Sequence, residues 1–391
     1  MKELDFEVLF KFQMAGMKFN QCHPDTKINK YWLLKNFLTL GPYTMYFILL
    51  VTCIKYYVIR NDFFNAFRTS VPVTFYICMM LYFCLLIANR STMGSVIKKM
   101  KLDYTKTHVM DSTSKATVLE YTAKGVNIMN LWGLLMISSV IVFMSKSIAL
   151  TIYHTHKKGE LTLIPFHEMR YPLNITEIRK HNILVFAATF VGETFFTSMS
   201  ALIYFSTVPL GPIFILHACG QLELIKKKFE NIFEKDNVDE LLTDIVQNLQ
   251  YVYSFVQEIN DCFTLIYEIL LKQTMILLPF TGYAIIQSIS YGELTIEYVC
   301  IFMESLFTSS IPCYYGDLLI QKGEEVRLMA YSCGWEYVHT PRARKTLMII
   351  LTRALRPVAI NSIFCTICLD TLSNVYSQAY TIFNLMSAMW N

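Results

Sequence analysis

The chain has 391 residues, of which 54% are hydrophobic and 16% charged, with a formal net charge of +4. Soluble domains average about 25% charged residues, so this composition lacks the polar surface that water demands, and a small, dispersed positive charge leaves no footprint for nucleic acid. Eleven cysteines are too few for a disulfide scaffold, and the odd count leaves at least one of them free.

The opening MKELDFEVLF mixes acids with apolar residues, which predicts no cleavable leader and makes the first apolar run its own insertion signal. Seven such runs follow, at Leu33–Ile54, Val71–Ala88, Val126–Leu150, Ile183–Leu216, Leu265–Ile289, Ile296–Leu319 and Leu347–Met389. A bilayer crossing takes roughly 20 apolar residues, and lipid leaves separate spans no way but the helix to satisfy their backbone. The expected fold class is therefore an all-α membrane protein with seven transmembrane helices in a single domain over residues 1–391. The fourth and seventh runs exceed a bilayer, and Pro209, Gly211-Pro212 and Pro357 are where they can break.

Residues 221–272 read differently. Leu222, Ile225, Phe229 and Ile232, then Leu241, Leu242, Ile245, Leu249 and Val252, step by three and four. Lys226, Lys227, Lys228, Glu230, Lys235 and Asp236 occupy the other faces. This pattern predicts two amphipathic helices divided near Asp236-Asn237, extending spans four and five out of the bilayer as an anchor region.

Basic residues set the orientation. About 25 of them, in the N-terminal segment, 90–124, 226–235 and 322–356, fall on one side, against about seven opposite, which places the N-terminus in the cytoplasm and the C-terminus outside. The acceptor Asn174-Ile175-Thr176 lies in the loop between spans three and four, on the outer side in this orientation, and Asn174 is the expected glycosylation site.

Signatures of catalysis are lacking: there is no phosphate loop, nucleophile elbow or zinc helix, and no enzyme or cofactor is expected. His154, His156, His167 and His181 share the outer loop; a His-x-His step can hold a metal, but solvated loop histidines are the simpler reading. Glu193 and Glu304 stand inside apolar runs, where an acid costs about 2.5–3.5 kcal/mol. They either handle ligand or ions, or are structural carboxylates bonded to Ser, Thr or Tyr on a neighbouring helix. Phe75, Tyr76 and Met79, Phe186 and Phe190, and Tyr298 and Phe302 supply aromatic and methionine side chains for a dry pocket, the alternative being ordinary helix packing.

The last third of the chain carries a more specific series: Cys313-Tyr314-Tyr315-Gly316, Ala330-Tyr331, Trp335, Arg353-Ala354-Leu355-Arg356-Pro357, Leu369-Asp370-Thr371-Leu372 and Ser377-Gln378-Ala379-Tyr380-Thr381-Ile382-Phe383. It resembles the carboxy-terminal signature of insect odorant receptors. The resemblance implies a heteromeric, odour-gated, non-selective cation channel in the plasma membrane of olfactory neuron dendrites, formed with the co-receptor Orco. The co-receptor has a long cytoplasmic insertion between spans four and five; the compact 221–272 stretch instead implies a tuning subunit that binds a small volatile odorant. It further implies a pocket between spans two, three, four and six, to which Ser138 and Val142 are added as walls. On the last helix Ser377, Thr381, Leu385 and Met389 share one face, polar below and apolar above, as a pore with a hydrophobic constriction requires; the plainer alternative is that the row faces another helix. The rival seven-helix class, the G-protein-coupled receptors, has its N-terminus outside and carries Asp-Arg-Tyr and Asn-Pro-x-x-Tyr motifs that are missing here. A transporter would show inverted repeats or paired broken helices, and neither is found.

Overall fold

In this computed structural model the described residues are 5–159, 161, 163–167, 169–172, 174–230, 232–234, 237–290, 292, 296–337 and 340–390. Lys235 and Asp236, named above on the polar faces of the amphipathic stretch, lie outside them. The described residues form α1 (Phe6–Leu9), α2 (Lys11–Phe19), α3 (Lys30–Ile59), α4 (Phe63–Ala88), α5 (Arg90–Lys106), α6 (Ser112–Lys158) and α7 (Ile175–His181). These are followed by α8 (Ile183–Thr207), α9 (Leu210–Phe229), α10 (Val238–Ser290), α11 (Ile296–Ser332), α12 (Pro341–Ala354) and α13 (Leu369–Trp390). No strand occurs among them. It is a helical, membrane-type fold.

Short polar side chains set where the long helices begin. Asn29 accepts from the Trp32 N–H at 2.8 Å to open α3, and Asp111 accepts from the Thr113 and Ser114 N–H groups at 3.1 Å to open α6. Asn182 accepts from the Leu184 N–H at 3.0 Å to open α8. Each satisfies donors that the first helical turn leaves without a partner. The fourth run divides at Val208-Pro209, between α8 and α9.

Among the described residues, five helical stretches are long and apolar enough to cross a membrane: α3, α4, α6, the joined α8–α9 and α10. The sixth and seventh runs fall in α11, which carries Glu297, Glu304 and Asp317, and in α12 with α13. The seventh run is not one span. Pro357 lacks an N–H and disfavours helix before it, so α12 stops at Ala354 and α13 starts only at Leu369. Between them the chain turns back on itself, with the Ile367 N–H donating to the Ile360 carbonyl at 2.8 Å. This turn rests on α11 at Gly316, where a Cβ would stand 2.1 Å from the Ile367 carbonyl oxygen. Only glycine admits that approach, which gives the Cys313-Tyr314-Tyr315-Gly316 motif a physical meaning.

At the end of the molecule opposite the loop after α6, α9 is buried on every face from Leu210 to Gly220, as expected for a stretch that is almost entirely apolar, while Lys226, Lys227 and Lys228 of its last turn are half-buried. It is enclosed by α6, α10 and α11. Leu242, Ile245, Leu249 and Val252 of α10 are all buried, so the amphipathic stripe is covered by this chain's own helices. One polar knot crosses the region: Asp103 Oδ2 accepts from Tyr251 at 2.6 Å and lies 3.0 Å from His217 Nε2. Burial alone would raise the Asp103 carboxyl, but His217, Tyr251 and Lys106 hold it below its usual range.

Candidate functional site

A cavity of about 660 Å³ lies between α4, α6, α8 and α11, roofed by residues 164–167 and 169. It falls within the size range of small-molecule sites, about 300–1,000 Å³. The lining follows helical geometry. On α6, Met136, Ser139, Phe143, Lys146, Leu150 and Tyr153 step by three and four down one face; on α11, Glu297, Ile301 and Glu304 do the same. Phe75 and Val71 of α4 and Phe196 and Tyr204 of α8 complete an apolar wall.

The polar groups lie at two levels. At the outer level Lys146 pairs with Glu297, and the Arg68 guanidinium lies 5.7 Å from the Tyr298 ring centroid. Deeper in, the Ser139 hydroxyl donates to Glu304, which is buried. His167 in the roof sits with Nε2 3.1 Å from Thr197 Oγ1. Burial, with the Lys146 and Arg179 charges adding to it, pushes this imidazole down to about 3, so the ring is neutral. The solvated loop histidine expected at this position is instead part of the packed interior.

Glu193 does not line the cavity; it fastens the roof. It accepts from Tyr171 at 2.7 Å, from the His167 N–H at 2.8 Å and from Arg179 at 3.1 Å. Arg179 also donates to the Met169 carbonyl at 2.8 Å. Removing one partner of such a buried pair costs about 3–5 kcal/mol, which makes this a structural carboxylate holding the loop and α7 onto α8.

Of the residues expected in a pocket, Phe75 and Tyr298 line the cavity. The others do not, each for a visible reason. Tyr76 turns to α3, donating to Thr44 at 2.9 Å and stacking on Phe47, and Met79 is fully buried among the helices. Ser138 and Val142 lie one position off the lining face of α6, where Ser139 and Phe143 stand. Phe190 is behind the roof, its ring 5.7 Å from that of Phe166, and Phe186 packs on Phe190 in turn. Phe302 points toward Gly282 and Phe383. Lys146, Glu297 and Arg68 were not singled out from the sequence, and His167 was read there only as a loop histidine; Lys146, a lone base inside the third apolar run, is the one whose position could have marked it.

Ser377, Thr381, Leu385 and Met389 are exposed along one face of α13, while Val375, Ala379 and Met386 are buried on the other. Asn174 is exposed in a left-handed conformation ahead of α7. The Thr176 hydroxyl of its sequon accepts from the Tyr171 N–H at 2.7 Å.

Residues 62–380 match the family model described as 7tm Odorant receptor. Odorant receptor 13a of Drosophila melanogaster is 22% identical over 197 residues, 45% of this chain and 47% of that protein. Putative odorant receptor 92a of the same species is 25% identical over 151 residues, 36% of each. The chain thus spans about half or less of the length of these curated relatives. In fold it is similar to the insect olfactory receptor OR5 from Machilis hrabei, with a TM-score of 0.76 and 12% identity over 97% of both chains. It is similar also to that receptor in complex with eugenol, with a TM-score of 0.78, 12% identity and coverage of 98% and 97%. With the family model spanning most of its length, this chain belongs to the odorant receptor family.

Proposed function

We propose that this chain is the odorant-binding subunit of an odour-gated, non-selective cation channel assembled with the co-receptor Orco, and that the odorant occupies the cavity between α4, α6, α8 and α11. The carrying observation is that cavity: closed by helices and a fastened roof, mainly apolar, with a few convergent polar groups, as small-molecule sites are. The similar receptor of Machilis hrabei was solved with eugenol, a molecule of the size such a cavity admits. Membership of the odorant receptor family speaks for a receptor rather than an enzyme, and against the G-protein-coupled class. Recording from cells that express the chain with and without the co-receptor, against an odour panel, tests the reading. Odour-evoked cation current only in the co-expressing cells is expected; no current under either condition would remove it.

The N-terminus, α5, α9 and α12 would face the cytoplasm, and the loop with Asn174 the outside, in a plasma membrane that for an olfactory neuron is dendritic. The excess of basic residues on the α5–α9–α12 side supports this, and the exposure of Asn174 supports a glycan there. A cysteine introduced beside Asn174 should react with an impermeant reagent on intact cells, and one beside Lys227 should not. Labelling in the reverse pattern would invert the topology.

A further inference from the structure

Glu304 is nine-tenths buried and lines the cavity. One of its oxygens accepts from Ser139; the other has no hydrogen-bond partner among the described residues, and is not among the polar atoms sealed away from any opening. The cations of the cavity wall are engaged elsewhere, Lys146 with Glu297 and Arg68 over the rings of Phe64 and Tyr298. Glu304 lies seven residues along α11 from Glu297, about 10 Å down the helix, and Val71, Phe75, Phe143 and Ile301 supply apolar wall around the cavity. A buried carboxyl oxygen is costly to leave without a donor.

We infer that the cavity selects odorants that carry a hydroxyl on an apolar skeleton, alcohols and phenols, the hydroxyl donating to the free oxygen of Glu304. This rests on the cavity being the odorant site. A methyl ether of the same skeleton has no proton to donate and sets a methyl group against that oxygen, stripping it of water without replacement. A primary amine can donate, but as an ammonium it must give up the hydration of a full charge in a cavity whose wall already carries Lys146 and Arg68. The hydroxyl meets neither penalty.

The test uses two matched trios: 1-octanol, 1-methoxyoctane and 1-aminooctane, and 2-phenylethanol, its methyl ether and 2-phenylethylamine. Concentration–response curves are recorded from the receptor with its co-receptor, and thermal stabilisation of the purified complex is measured with the same compounds. In the parent, each alcohol should be more potent than its ether by about ten-fold or more, with the amine no better than the ether. Glu304→Leu should bring alcohol and ether within about three-fold of each other by removing the acceptor, and Glu304→Gln, close in shape, should raise the ether by offering a donor. Equal potency of alcohol and ether in the parent, amine as the best ligand, or a preference that survives Glu304→Leu would each overturn the inference. If only the stabilisation data show the preference, the site stands and the channel reading falls; stabilisation by no compound overturns both.

Discussion

Each residue along a helix turns its side chain by about 100°, so Ser139 and Phe143 of α6 face the cavity while Ser138 and Val142 are carried round toward the outside. Phe143 is thereby placed to touch ligand, with its ring 5.6 Å from that of Phe166 in the roof. Removing an apolar contact of this kind changes recognition by about 1–3 kcal/mol, so Phe143→Ala should shift half-maximal odour concentrations by about ten-fold or reorder the odour panel, while Val142→Ala should move them less than about two-fold. Equal effects of the two, at equal surface expression, would mean that the lining face of α6 is wrongly placed. The sequence shows that α6 is helical and apolar but not which way it is rotated, because residues on both faces of a membrane helix are apolar. Phe75 and Tyr298 were legible as aromatics at helical positions; Phe190 was displaced from the lining by the non-helical roof, whose path no periodicity records. Glu193 stood out as an acid in an apolar run, but its partner Arg179 is fourteen positions away in sequence and meets it only through the fold of the loop.

At the scale of elements, the three- and four-residue steps in 221–272 correctly show a stripe, and they cannot show what covers it. Leu249 is 5% exposed and Val252 1% exposed, packed within their own subunit, so they offer no free surface to a second subunit. Uncovered apolar side chains of this region include three on α12 and in the turn after it, Met348 at 63%, Ile349 at 67% and Phe364 at 80%. They form the surface we propose for the co-receptor. An aspartate at Met348 and at Ile349 should leave the subunit folded but abolish its co-purification with the co-receptor, because a charge in the dry centre of an interface has no partner. Leu249→Asp, by contrast, should fail earlier, with loss of the folded subunit itself. Normal recovery of the co-receptor with the Met348 and Ile349 double variant would move the interface elsewhere.

In the molecule as a whole, α13 is a helix whose environment this chain leaves unfinished. Its inner face is fixed: the Tyr376 hydroxyl lies 2.8 Å from that of Ser310, and Val375, Ala379 and Met386 are buried. Among the described residues no helix of its own subunit covers its outer row, with Leu385 61% and Met389 71% exposed, which speaks against the plainer alternative that the row packs within the chain. The four-residue step made the row legible in the sequence; that it is unclothed required the fold, since exposure depends on where α10 and α11 stand. Several subunits arranged about an axis would bring such rows together, with Ser377 and Thr381 offering oxygen atoms to hydrated cations and Leu385 and Met389 forming a constriction that closes by excluding water. A polar side chain at the constriction lowers the barrier to wetting. Leu385→Ser should therefore raise the current that flows without odour, with a partial effect where the proposed co-receptor supplies the rest of the ring. Met386→Ser, one position round the helix on the buried face, should instead lower the amount of assembled channel and leave basal current per channel unchanged. Single-channel and whole-cell recordings separate the two outcomes. Channels with Leu385→Ser and Met389→Ser that match the parent in basal current, ion selectivity and block would show that this face of α13 does not line the pore.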